Sequence, residues 1–168
     1  MEITDPKIFL DYFESVRKRT LNVVRAIPVD KFDWTYREGK FTLADLIRHI
    51  AAIERYMYAE NAQLKPSRYP GCGKELADGP ENVLAFFDRM HQESMEIFSR
   101  LTPADLARKC VTPAGTPITV WKWLRAMVEH EIHHRGELYV YLNMLGITAP
   151  PMYGLTSEQV KAASEGRD

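Results

Sequence analysis

The chain has 168 residues, 45% of them hydrophobic and 27% charged, with a formal net charge of −1. That length suits one domain, residues 1–168, with a sizeable core and a short tail from 155 to 168. The even mixture of acids and bases offers no basic groove for nucleic acid, and no apolar run approaches the length of a membrane span. The two cysteines, Cys72 and Cys110, lie far apart without C-x-x-C spacing, which favours a reducing compartment over a disulfide framework. The N-terminal residues, Met1-Glu2-Ile3-Thr4-Asp5, lack the layout of a signal peptide. A cytoplasmic protein is therefore expected.

Taken in order, the first predicted helix runs from about Asp5 to Ile27, capped by Asp5 with Pro6 at the first helical position. Its stripe is Phe9, Tyr12, Phe13, Val16, Thr20, Val23, Val24 and Ile27, and Pro28 closes it. Residues 28–41 form a connection whose Trp34 and Tyr36 are expected over the end of a bundle. The second helix runs from about Thr42 to Leu64 and opens on a capping box of Thr42 and Asp45. His49 sits at the edge of its apolar stripe. Pro and Gly clusters mark residues 66–79 as a loop. The third helix, about Pro80 to Leu101, carries His91, whose default reading is a partly exposed helix histidine. A small hairpin is predicted between Ala107 and Thr119, from β-branched residues around Pro113-Ala114-Gly115. The fourth helix runs from about Thr119 to Leu145 and ends at Gly146. The tail holds a short helix from Ser157 to Ala163. Four long amphipathic segments predict an all-α four-helix bundle with long connecting loops.

The fourth helix carries the chemistry. Its apolar positions recur at Val120, Leu124, Met127, Leu138, Tyr141 and Leu145, and between Met127 and Leu138 the pattern holds His130 and His134. Residues four apart lie one turn above each other, so two imidazoles are stacked on what reads as a buried face. That spacing chelates a metal ion, and His49 on the second helix completes a three-histidine set: His49, His130 and His134. Three protein ligands leave open positions for water or substrate. His133 lies about 100° around the helix from His134 and is expected to pair with Glu129 or Glu137 instead. Glu54, Glu129 and Glu131 are possible acceptors for the ring N–H groups of the ligands. The letters His130-Glu131-x-x-His134 also fit the H-E-x-x-H zinc-protease pattern with Glu131 as base. Against it, positions 137 and 140 hold Glu and Val where the extended motif needs glycine and histidine. A downstream glutamate ligand would have to be Glu158, in a proline-broken tail, and no sheet is available to bind an extended peptide. Trp121, Trp123 and Met127 read as core or pocket wall.

The stretch Phe41-Thr42-Leu43-Ala44-Asp45-Leu46-Ile47-Arg48-His49-Ile50, the run His130-x-x-x-His134-Arg135-Gly136-Glu137-Leu138, Tyr141-Leu142, Leu145-Gly146 and the Pro-Pro-Met-Tyr-Gly segment together resemble the DinB/YfiT-like family of metal-dependent proteins over nearly the whole chain. The resemblance implies a four-helix bundle holding a divalent metal on His49, His130 and His134, and a homodimer. Glu137 stands where many relatives carry glutamine. Related bundles include thiol S-transferases and a mycothiol-dependent isomerase. The leading expectation is a metal-dependent thiol S-transferase acting on a small electrophile, with zinc, nickel, iron or manganese and a low-molecular-weight thiol as cofactors. Arg135, Arg48 or Arg55 is expected to meet the acidic groups of such a thiol, and no residue is assigned a catalytic role. The alternatives are a non-catalytic metal-binding or interaction protein and a metal-assisted hydrolase.

Overall fold

The computed structural model describes residues 2–165; the last three positions of the tail expected from 155 to 168 lie outside them. Helix α1 spans Pro6–Arg25, and Asp5 accepts from the Lys7 amide as predicted. Helix α2 spans Leu43–Ile53 and passes through a π-helical turn, Glu54–Tyr58, into α3, Ala59–Ala62. Helices α4 (Pro80–Ser99) and α5 (Pro103–Ala107) follow. Strands β1 (Lys109–Val111) and β2 (Pro117–Thr119) form the predicted antiparallel hairpin, with Cys110 opposite Ile118. Helix α6, Val120–Met144, and the exposed α7, Ser157–Glu165, complete the order. The four long helices pack as a closed cycle: α1 on α6, α6 on α2, α2 on α4 and α4 on α1. No described helix is long and apolar enough to cross a membrane.

The capping box that opens α2 is complete. Thr42 Oγ1 accepts from the Asp45 amide at 3.0 Å, and the Thr42 amide donates to Asp45 at 2.9 Å. Two amides that a helix start would leave unpaired are thereby satisfied. The other Asp45 oxygen holds Arg48, whose guanidinium also donates to the carbonyls of Cys72 and Ala77 at 2.7 and 2.9 Å. One buried arginine therefore ties the 66–79 loop to the helix that carries His49. Trp34 and Tyr36 pack edge-on against Tyr141, closing the end of the bundle as expected.

The core divides into two apolar clusters. One gathers Val24, Ile47, Phe87, Leu138 and Leu142, the other Phe13, Phe98, Leu124 and Met127. A belt of buried charge joins them. The Arg17 guanidinium lies over Phe87 at 4.2 Å and Phe13 at 5.8 Å, one ring from each cluster. Arg17 pairs with Glu54 and, at 3.0 Å, with Glu131. Thr20 donates to Glu131 at 2.6 Å, and His91 bridges Glu54 at 3.0 Å and Glu14 at 3.1 Å. Here the structure corrects two expectations. His91 is buried, 8% exposed, and belongs to this belt. The positions that interrupt the buried face of α6 between Met127 and Leu138 are Glu131 and Arg135, each 2% exposed, while His130 and His134 occupy the half-buried edge beside them. A period of 3.6 residues fixes which positions share a face. It does not say that a core face can be filled by charged groups that neutralise one another.

Candidate metal centre

His49 comes from the second turn of α2, and His130 and His134 from consecutive turns of α6. The packing of α2 on α6 brings them together. His49 Nε2 lies 3.1 Å from His130 Nε2, and His134 Nε2 lies 3.1 Å from His130 Nε2. His134 sits edge to face with both other rings, His49 and His130 are tilted at 49°, and the ring centroids lie 4.4–5.0 Å apart. The donor set fits a divalent ion. Imidazole nitrogens at about 2.0–2.1 Å from a tetrahedral ion stand roughly 3.3–3.4 Å apart, close to the spacing seen here. Three protein ligands would leave at least one position of a four-coordinate ion for another ligand.

The outward nitrogens are held by Glu137, expected to pair with His133, and by Tyr69, to which the sequence reading assigns no role. His134 Nδ1 donates to Glu137 Oε2 at 2.6 Å, and His49 Nδ1 meets the Tyr69 hydroxyl at 2.8 Å. The carboxylate fixes the His134 tautomer whose Nε2 lone pair faces the other two rings, the form a metal requires. Burial, with the nearby imidazoles adding to it, lowers the pKa of His49 to about 4 and that of His130 to about 3. Both rings are neutral at pH 7, the state that ligates metals.

None of the three glutamates expected at this position fills it. Glu54 and Glu131 are committed to Arg17 in the buried belt, and Glu129 faces solvent with Arg125 at 3.4 Å. Burial holds the Glu131 carboxyl above its ordinary range, partly offset by Arg17. The zinc-protease reading therefore loses its base: the H-E-x-x-H glutamate points into the bundle. His133 lies outside the triad, 68% exposed at its side chain and 3.5 Å from Glu137. A second possible grouping, His133, His134 and Glu137, shares His134 with the triad but is more open. The three arginines proposed for an acidic cofactor are otherwise engaged. Arg48 holds the loop, Arg135 is buried with a bond to the Val16 carbonyl at 3.2 Å, and Arg55 pairs with Glu60 and Glu93. Glu137 was legible as the residue three after His134, one turn along. Tyr69 lies in an irregular loop, where no periodicity points to it.

A half-buried three-histidine centre on two helices of a four-helix bundle defines the class of protein, and comparison with known families agrees. A model of the DinB superfamily matches residues 12–138, and the chain belongs to that superfamily. It is similar to the uncharacterized protein YjoA of Bacillus subtilis, 29% identical over 147 residues that cover 86% of this chain and 93% of YjoA. The YjoA crystal structure superimposes with a TM-score of 0.72 at 23% identity, over 88% of this chain and 99% of that one. YfiT of Bacillus subtilis, described as a probable metal-dependent hydrolase with an unusual four-helix bundle topology, superimposes with a TM-score of 0.69 at 18% identity, over 88% and 91%. The mycothiol-dependent maleylpyruvate isomerase shares the fold with a TM-score of 0.59 at 15% identity, over 80% of this chain and 60% of that one.

Proposed function

We propose that His49, His130 and His134 hold a divalent ion, zinc, nickel, iron or manganese, and that the protein is a metal-dependent thiol S-transferase acting on a small electrophile. The observation that carries this reading is the pairing of a converging nitrogen triad with a missing base. Three imidazoles point Nε2 at one another, yet the carboxylate bonded to the cluster, Glu137, is spent on the His134 ring N–H, and Glu131 is turned away. Without such a base, hydrolysis at this centre would rely on the ion alone to ionise water, whose proton is much harder to remove than a thiol's. Thiol chemistry is less demanding, because the bound ion's charge lowers the thiol's pKa and favours its nucleophilic thiolate form. In the transfer the thiol would release its proton to solvent, sulfur would form a bond to carbon of the electrophile, and the carbon–leaving-group bond would break with its electron pair going to the leaving group, which takes up a proton from solvent. The residues of this chain orient the ion: Glu137 through His134, Tyr69 through His49. The thiol-dependent isomerase among the fold's relatives is in keeping with this chemistry.

The test is cobalt substitution followed by addition of a low-molecular-weight thiol. A sulfur-to-metal charge-transfer band is expected. Full cobalt occupancy with no band on adding thiol would sink the transferase reading. The name carried by YfiT keeps metal-assisted hydrolysis as the second reading; it requires thiol-free turnover of an ester or amide, with rate rising as metal-bound water ionises near neutral pH. We also propose a homodimer. The exposed line of Ile132, Val140 and Met144 along α6 is in keeping with it, and light scattering that gives the mass of a single chain would count against it.

A further inference from the structure

A groove of about 800 Å³ lies between the 64–69 segment and the β-hairpin. That volume is in the range of small-molecule sites. Its walls combine apolar surface from Met57, Leu64 and Val111 with three cations, Lys65, Arg68 and Lys109, and no Asp or Glu lines it. Arg68 is partly balanced from behind by the buried Glu60, whose one oxygen also takes Arg55, both at 2.6 Å. Lys109 makes no ion pair among the described residues, and Lys65 reaches only the neutral Gln63 at 3.0 Å. The charge facing the groove is therefore positive over an apolar floor.

This wall is built rather than loose. Leu64 adopts φ 62°, a left-handed conformation that glycine would adopt without strain. It closes α3 with the Lys65 amide bonded to the Glu60 carbonyl at 3.0 Å and its own amide bonded to the Asn61 carbonyl at 2.9 Å. The buried Asn61 side chain donates to the Lys65 carbonyl at 2.9 Å, and the Arg68 amide donates to the Tyr56 carbonyl at 2.7 Å. For comparison, α6 ends on the same kind of turn with Gly146 at φ 70°. A leucine at this position costs backbone energy and places an apolar side chain on the groove. Tyr69 also lines the groove, and its hydroxyl meets Nδ1 of His49, the ring nitrogen that does not face the triad.

We propose that this groove binds a small organic anion with an apolar body, such as an aliphatic carboxylate, at a site adjoining the three-histidine centre and separated from it by Tyr69 and the His49 ring. The ligand does not touch the Nε2 atoms. It bears on the tyrosine that positions one of them, so occupancy of the groove and of the centre are linked through a single hydrogen bond.

The experiment titrates hexanoate into isotopically labelled full-length protein, both metal-free and zinc-loaded, and follows amide and Tyr69 resonances. Hexanol and inorganic phosphate serve as probes carrying only the body or only the charge. Hexanoate is expected to shift residues 64–69 and 109–115 and to bind more tightly than either control. Lys65→Met with Lys109→Met should weaken it at least about tenfold, about 1.4 kcal/mol, with zinc content unchanged. Leu64→Gly should weaken it while leaving thermal stability equal or higher, since the backbone strain is relieved. The site is refuted if hexanoate shifts other residues, binds no better than hexanol or phosphate, or is insensitive to the lysine pair. Binding to the metal-free protein is scored independently, so a chain that takes up no zinc would defeat the proposed metal chemistry without touching the groove. Tyr69→Phe separates the link from the site: hexanoate affinity should become equal in metal-free and zinc-loaded protein, and an unaltered difference would exclude Tyr69 as the link.

Discussion

At the scale of single residues, the centre depends on which nitrogen of each ring is engaged. His134 is oriented by Glu137 at 2.6 Å, while the adjacent His133 faces solvent. His134→Ala should lower retained zinc sharply and His133→Ala should leave it unchanged, measured by metal analysis after dialysis. Equal losses would favour the more open grouping of His133, His134 and Glu137. Removing the orienting carboxylate with Glu137→Ala should weaken metal affinity by about 10–100-fold, read by chelator competition. Glu137→Gln keeps an oxygen to accept the ring N–H and should cost less. The pair His130 and His134 was legible because i, i+4 spacing is a local property of a helix. His49 was legible as a histidine at the edge of a stripe. Tyr69 was not, because its place comes from a loop pinned by Arg48 and Arg68, contacts between segments distant in sequence.

At the scale of elements, the helices are joined by the buried belt as much as by apolar packing. Arg17 on α1 answers Glu54 in the π-helical turn and Glu131 on α6. Arg17→Met would leave two buried carboxylates without their cation, and a loss of about 3–5 kcal/mol in stability is expected by denaturant titration. A loss under about 1 kcal/mol would show that water reaches the belt and screens it. His91 on α4 supplies a pH dependence. Burial and the Arg17 charge oppose its protonation, but the hydrogen bonds it donates to Glu54 and Glu14 and the Glu54 charge outweigh them, and its pKa is raised above 6.5. Phe13 packs edge-on against the ring and adds no charge. A raised value in the folded state means that the charged histidine stabilises fully below pH 6.5 and loses that contribution as pH rises through the raised value. The stability gap between wild type and His91→Gln should therefore narrow as pH increases, and a gap that widens would reverse the assignment. The helices themselves were readable from apolar spacing and caps. The π-helical turn was not, because the same residues, Glu54 to Tyr58, would also continue an ordinary helix; tertiary packing of Glu54 and Tyr58 into the core selects the wider turn.

At the scale of the whole molecule, two apolar clusters and the charge belt hold α2 against α6, and that contact assembles the centre. The fold of the superfamily was legible because its marks, the capped start of α2, the histidine pair and the glycine after α6, are each local. The groove was not, because its two walls are 40 residues apart and meet only when the hairpin folds onto α3. On the proposed reading, three histidines bind one divalent ion and leave room for sulfur. X-ray absorption of the zinc-loaded protein, before and after adding a low-molecular-weight thiol, tests it most directly. Three imidazole nitrogens at about 2.0–2.1 Å are expected, joined after addition by one sulfur at about 2.3 Å. A zinc shell without three imidazoles, or one already closed by a fourth protein ligand and unchanged by thiol, would contradict it.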